Sequence, residues 1–307
     1  MSPGARVAAI DIGTNSTRLL VAEEDPDSFR TIERRMVITR LGQGVDSTRR
    51  LQPEAMQRTL NVVADYAASC GELGVGRLRV TGTSAVRDAL NRSDFFDGVR
   101  KLTGESPEVL SGEEEARATF LGVRSDLADG DPILVVDIGG GSTELIYGDA
   151  EPRSLISVDL GCVRMFEKHL ASDPPTSEEL AGLRGEVARQ LARAKEALSA
   201  PQGLRLVGVA GTVTQLATLK AGLPHEDPEV VHHMVLSHGD VRRLARRLGT
   251  LPWEQRRRVK GLVAGRVDVI VAGAEILQAV MEAFDAGEVL VSEKDILDGL
   301  VIQLLQS

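Results

Sequence analysis

Two nine-residue stretches carry residue types suited to chemistry: Asp11–Leu19 (DIGTNSTRL) and Asp137–Leu145 (DIGGGSTEL). They agree at Asp11/Asp137, Ile12/Ile138, Gly13/Gly139, Ser16/Ser142, Thr17/Thr143 and Leu19/Leu145, 126 positions apart. Small residues let backbone N–H groups approach an anion closely and form a nest around phosphate oxygens. Gly139, Gly140, Gly141, Ser142 and Thr143 offer backbone donors and two hydroxyls. Gly13, Thr14, Asn15, Ser16 and Thr17 offer one glycine, three hydroxyls and an amide. The leading Asp11 and Asp137 suit Mg²⁺, which keeps several of its own waters beside phosphates. One such turn alone is equally a hairpin that needs glycine. Two copies with hydroxyls in register point to phosphate binding.

A second concentration of charge is Glu113-Glu114-Glu115, expected at a helix start after Ser111-Gly112. Carboxylates are favoured there by the helix dipole alone, so the cluster has both a structural and a catalytic explanation. Gly208-Val209-Ala210-Gly211-Thr212 is either a third anion loop or a strand-to-helix turn. Eight arginines and Lys260 lie between Arg242 and Arg266 against a single acid, Glu254. Arg242/Arg246 and Arg243/Arg247 are spaced to share a helix face. That face is either solvated or a surface for a long polyanion. His232, His233 and His238 lack the spacing of a metal site and are read as loop residues.

The elements that must position these groups follow from the apolar pattern. Strands are expected at Val7–Asp11, Arg18–Glu23, Phe29–Thr39, Leu78–Thr81 and Glu108–Leu110, with helices at Pro53–Cys70, Ser93–Leu102 and Ala116–Gly122. Ser93 is the expected cap of the second of these helices. The polar segment Asp126–Pro132 is the natural boundary. Beyond it the pattern restarts with strands at Ile133–Asp137, Thr143–Tyr147, Ser154–Val158 and Leu204–Val209. Helices are expected at Val163–Leu170, Ser177–Ala200 and Val213–Ala221, and a largely helical remainder. Two α/β domains, 1–127 and 128–307, therefore appear as copies of one plan, the last helix free to pack back on the first. A ligand is expected in the cleft between them.

Bulk composition narrows the class. A net charge of −9 argues against a general nucleic-acid surface. Two distant cysteines, Cys70 and Cys162, make a disulfide framework improbable and fit a reducing cytoplasm. The opening MSPGARVAAID has too short an apolar run for a secretion signal, and no stretch has the length and apolarity of a membrane span.

The paired turns resemble the phosphate loops of the actin, Hsp70 and sugar-kinase superfamily. Their wording resembles one branch of it, the exopolyphosphatase and guanosine pentaphosphate phosphohydrolase family. Thr83-Ser84-Ala85-Val86-Arg87-Asp88-Ala89, Ser111-Gly112-Glu113-Glu114-Glu115-Ala116, Gly208–Thr212 and Arg266-Val267-Asp268 resemble further segments of that family. The resemblance implies duplicated actin-like (ribonuclease H-like) domains, Mg²⁺ or Mn²⁺ as cofactor, and a homodimer, while charge and hydropathy lead to no nucleic-acid or membrane partner being expected. It implies Glu115 as the residue that activates water, with Glu114 as its neighbour and alternative. Asp11, Asp137 and Glu115 are assigned to the metal. Phosphate contacts are assigned to Gly13, Thr14, Asn15, Ser16, Arg18, Arg87, Gly139, Gly140, Gly141, Ser142, Thr143, Gly208, Gly211, Thr212 and Arg266. Near the end, Leu297-Asp298-Gly299 stands where the family often has Arg-Glu-Gly. Longer family members carry a further helical domain after the duplicated pair, and its contribution to chain grip and processivity is not expected from these 307 residues. The implied activity is release of terminal phosphate from inorganic polyphosphate. Hydrolysis of guanosine pentaphosphate to the tetraphosphate is the alternative, disfavoured by a 3% aromatic content. A kinase or ATPase, and a non-catalytic sensor of polyphosphate or alarmone, are the readings from other classes.

Overall fold

The computed structural model describes residues 4–26, 28–127 and 130–307. The expected boundary Asp126–Pro132 includes Ala128 and Asp129, and the opening segment includes residues 1–3; these lie outside the described residues. The chain forms two compact units, 1–126 with 294–307, and 127–293.

The first unit begins β1 (Arg6–Ile12), β2 (Ser16–Asp25) and β3 (Ser28–Ile38). It continues through α1 (Val45–Thr48), α2 (Pro53–Glu72), β4 (Arg77–Gly82), α3 (Ser84–Asp88), α4 (Arg92–Thr103), β5 (Glu108–Val109) and α5 (Gly112–Arg124). The second unit holds β6 (Ile133–Ile138), β7 (Thr143–Gly148), β8 (Pro152–Val158), α6 (Cys162–His169), α7 (Ser177–Leu198), β9 (Arg205–Val209) and α8 (Ala210–Ala221). After these come α9 (Pro228–Val231), β10 (Val235–Ser237), α10 (His238–Thr250), α11 (Trp253–Arg256), a short 3₁₀ turn at Ala264–Arg266, α12 (Ile270–Ala283) and β11 (Glu288–Val291). The last helix, α13 (Ile296–Gln306), belongs to the first unit.

The two sheets share one plan. The first runs β3-β2-β1-β4-β5, and the second β8-β7-β6-β9-β11 with β10 added beyond β11. In both, the first three strands are antiparallel and the fourth lies parallel to the first. This is the duplicated ribonuclease H-like arrangement that the repeated turns imply. Both faces of the first sheet are covered, which is why Val7–Ile10 of β1 form an unbroken apolar run rather than alternating. Ala8, Ile10 and Ile12 pack with Val63 and Tyr66 of α2. Val7 and Ala9 point the other way, into a cluster with Ala118 of α5 and Ile296, Leu297, Leu300 and Val301 of α13. The backbones of α5 and α13 nearly touch: a Cβ on Gly299 would lie 1.8 Å from the Ala118 carbonyl oxygen.

Local corrections are few. The helix expected from Ser93 begins at Arg92, and Asn91 is its N-cap. The Asn91 amide does not cap it, because it accepts from Leu51 N–H at 2.8 Å and donates to Leu51 C=O at 3.0 Å. The remainder after α8 is not all helical, since it supplies β10 and β11.

Candidate functional site

The first turn joins β1 to β2. Gly13 N–H donates to the Ser16 carbonyl at 2.9 Å, while Thr39 and Arg40 N–H donate to Asn15 C=O and Gly42 N–H to Thr14 C=O. The turn's carbonyls are thereby drawn onto the segment after β3. Thr17 is spent on structure, its hydroxyl sharing a hydrogen bond with Thr39 at 3.0 Å and its carbonyl accepting from Tyr66. Asp11, the residue before the turn's Ile12, is 2% exposed. Its Oδ2 accepts from Arg18 Nε at 3.1 Å and Nη2 at 2.6 Å, and its Oδ1 is buried without a hydrogen-bond partner. Burial pushes the Asp11 carboxyl above its usual range, against the pull of Arg18. Asn15 Oδ1 is likewise buried and unpaired.

Arg18 differs from its expected role. Its Nε/Nη2 edge, the one suited to a bidentate phosphate contact, lies on Asp11, and Nη1 reaches Asp295 just before α13. Arg34 on β3 binds Asp298 and stands 3.7 Å from Asp295. Asp298, wholly buried, also accepts from Lys294 at 3.1 Å. Asp295 therefore braces Arg18 beside the first turn, while Asp298, in the segment that departs from the family pattern, holds Arg34 on β3.

The second turn repeats the geometry. Gly139 N–H donates to Ser142 C=O at 3.0 Å, and Cys162, Val163 and Arg164 N–H bind the carbonyls of Gly139 and Gly140. Among the described residues no hydrogen bond engages the N–H of Gly140 or Gly141. The start of α6 rests directly on this turn, for a Cβ on Gly161 would lie 2.1 Å from Gly140 O. Thr143, assigned to phosphate, instead donates its hydroxyl to Leu160 C=O. Ser142 remains the hydroxyl in register with Ser16.

Two residues at this turn escaped the sequence reading. Arg164 Nε donates to Gly141 C=O at 2.7 Å and fixes the turn from α6. Glu144 lies directly opposite Asp137 in the β6–β7 ladder, so their side chains share one face. Both are buried, at 0% and 6% exposure. Arg18 opposes Asp11 at the matching position of the first sheet. The repeat thus replaces an acid–base pair with an acid–acid pair. Its signal was present in DIGTNSTR against DIGGGSTE, one position past the shared Ser-Thr.

The three glutamates separate cleanly. Ser111 caps α5, and its hydroxyl accepts from Glu114 N–H while the Glu114 carboxylate accepts from Ser111 N–H and Oγ, both at 2.8 Å. Those bonds hold the Glu114 carboxyl below its usual range. Glu113 and Glu114 are exposed. Glu115 turns inward, 9% exposed, with Arg87 Nη1 at 3.4 Å. The same Arg87 nitrogen donates to Leu110 C=O at 2.8 Å, which fixes the guanidinium beside the carboxylate.

The third loop is split. Gly208 lies inside β9, not in a turn, and its missing side chain makes room for Val289 and Val213. Gly211 is the anion-loop candidate. Arg266 lies across it so closely that a Cβ there would stand 2.4 Å from Nη2. Ala210 before it holds a left-handed φ of 65°, a conformation costly to a residue with a Cβ. Arg266 is 6% exposed and also binds Glu226 at 3.2 Å; Thr212 is buried nearby. Of the basic run, Arg256 is a core residue that donates to the carbonyls of Leu248, Leu251 and Val267. His232 caps the end of α9 and His238 starts α10.

Two sheets of one strand order, each with a glycine–hydroxyl turn behind an aspartate, define a phosphate-handling protein of the actin-like class. Residues 20–307 match the Ppx/GppA phosphatase family, and the chain belongs to it. Exopolyphosphatase 2 of Mycobacterium tuberculosis is 38% identical, over 97% of this chain and 98% of that one. Among solved structures, an exopolyphosphatase-like protein is similar with a TM-score of 0.94 at 35% identity, covering 99% of both chains. The Aquifex aeolicus member of the Ppx/GppA family gives 0.84 at 32% identity, covering 98% of each.

Proposed function

We propose that the protein is an exopolyphosphatase that releases terminal phosphate from inorganic polyphosphate by direct attack of water. The observation that carries this reading is the division of labour at the start of α5. Glu114 is committed to the cap, whereas Glu115 is buried beside Arg87. A carboxylate so held is placed to orient a water molecule and accept its proton. The water oxygen bonds to the terminal phosphorus, the bridging P–O bond breaks, and its electron pair leaves on the shortened chain. Gly140 and Gly141 N–H and the Ser142 hydroxyl grip phosphate oxygens in the second unit, where Arg266 and the Gly211 turn add positive potential. In the first unit Gly13, Thr14, Asn15 and Ser16 form the matching turn, and Arg18 holds Asp11 in place.

Each unit by itself offers oxygen donors that fit a hard divalent cation, Mg²⁺ or Mn²⁺. Asp137 and Glu144 offer paired carboxylates, and Asp11 and Asn15 each present a buried oxygen without a partner. Such an ion supplies charge neutralisation to the transferring phosphoryl group. Substrate without a base is favoured because the sole tryptophan is occupied: Trp253 carries Arg257 over its ring and donates to Asp268 at 2.8 Å. Two free, buried cysteines accord with a cytoplasmic setting, and a homodimer is the expected assembly.

The test is phosphate release with Mg²⁺ from polyphosphate, guanosine pentaphosphate and ATP, side by side. Polyphosphate is expected to be the preferred substrate, and chelation to abolish turnover. Glu115→Gln is expected to lose about 10²–10⁴-fold in rate, the worth of one positioned general base. Glu114→Gln should keep most of it. Undiminished turnover in Glu115→Gln overturns the assignment of the base, and preference for the guanosine compound moves the substrate.

A further inference from the structure

The basic run on the second unit divides sharply once side chains are placed. Arg256 is buried structure, Arg266 belongs to the Gly211 turn, Arg243 pairs with Asp240, and Arg257 pairs with Glu254. Arg242, Arg246, Arg247, Arg258 and Lys260 remain, all exposed. Among the described residues none of these five side chains makes a hydrogen bond or ion pair. Elsewhere in this acidic chain arginines commonly meet a carboxylate, as Arg6, Arg30, Arg79, Arg153 and Arg184 do. An unneutralised cluster in a protein of net charge −9 marks a face with local potential opposite to the whole.

The cluster is also built rather than scattered. Val241, Leu244, Ala245 and Leu248 bury one side of α10, which leaves Arg242, Arg246 and Arg247 on its outer side. The buried Arg256 ties the end of α10 to the following turn, which presents Arg258 and Lys260. Arg247 and Lys260 flank a groove of about 120 Å³ that also touches Leu219 and Gly222, at the C-terminal end of α8. The opposite end of α8 is the Gly211 turn under Arg266. Twelve residues of helix separate the two ends, about 18 Å.

We propose that Arg242, Arg246, Arg247, Arg258 and Lys260 form a distal subsite for linear polyphosphate, gripping the chain well away from the phosphate being released. This rests on the exopolyphosphatase reading. A short oligophosphate cannot reach from the Gly211 turn to this face, so the subsite acts on long chains alone. Its contribution is long-range Coulomb attraction between exposed charges, which salt screens over about 8–10 Å.

The experiment pairs Arg246→Glu/Arg247→Glu/Lys260→Glu with the parent protein, using tripolyphosphate and a polyphosphate of several hundred units. Direct binding and phosphate release are both measured, at low and high salt. The charge-reversed protein is expected to bind the long polymer about tenfold or more weakly at low salt, with the gap closing at high salt. Its KM for tripolyphosphate and its kcat should stay within about twofold. The neutral variant Arg246→Gln/Arg247→Gln/Lys260→Gln should fall between the two, and unchanged thermal unfolding confirms that both variants are folded. Equal binding of the long polymer by parent and charge-reversed proteins overturns the subsite, as does an equal loss on both substrates. If the parent binds polymer but releases no phosphate, the hydrolase reading fails while the binding comparison still decides the subsite.

Discussion

At the residue scale, the backbone around the second turn carries more of the site than its side chains do. Gly161 has φ −111°, open to any residue, so only space forbids a side chain there. Gly161→Ala would drive a methyl group into the Gly140 carbonyl and displace the donors of Gly140 and Gly141. Loss of about 10²-fold in phosphate release is expected, the scale of a 1 Å misplacement, with thermal unfolding reporting any change in stability separately. An unchanged rate would remove that turn from the phosphate grip. Residues such as Asp11, Ser142 and Glu115 were legible because their chemistry is written in a local motif. Arg164 and Asp295 were not, because each meets its partner across 23 and 277 positions of sequence. Thr143 misled for a related reason: its hydroxyl is in register with Thr17, and both are consumed by the segment that follows the third strand.

At the element scale, helix starts set the response to acid. Glu114, Glu179 and Asp240 each close a capping box. The Glu114 carboxyl is lowered by bonds from Ser111, Glu179 by bonds from Thr176, and Asp240 by Lys220 and then Ser237. A carboxyl held lower in the folded than in the unfolded chain stabilises above its unfolded value, about 4.5 for the two glutamates, and ceases to as pH falls through the folded value. Stability should therefore decline below about pH 4.5. Ser111→Ala should cost about 1 kcal/mol at neutral pH and flatten part of that decline, read by denaturant unfolding at several pH values. Of these caps only the one at Ser111 was read from the sequence as opening a helix, although Thr176-x-x-Glu179 and Ser237-x-x-Asp240 repeat its spacing. The strands β10 and β11 were not legible, since runs of three and four residues are too short to show a period of two.

At the scale of the whole molecule, the duplication is overt in the turns and in the order of both sheets, and the last helix packs back on the first unit, as the sequence left it free to do. The second unit occupies one continuous stretch, 127–293, inserted into a first unit that is completed only by 294–307. Ile296, Leu297, Leu300 and Val301 are at most 2% exposed, and burying four such side chains contributes about 6–12 kcal/mol. That matches the net stability of an entire domain. A chain ending at Glu293 should lose the cooperative unfolding of the first unit and keep that of the second, seen as one melting transition in place of the parent's full profile. Retention of both would show that α13 is dispensable to the first core. The same discontinuity orders events at the ribosome. The unit whose strands are made first cannot close its core until α13 has been made, after every element of the second unit.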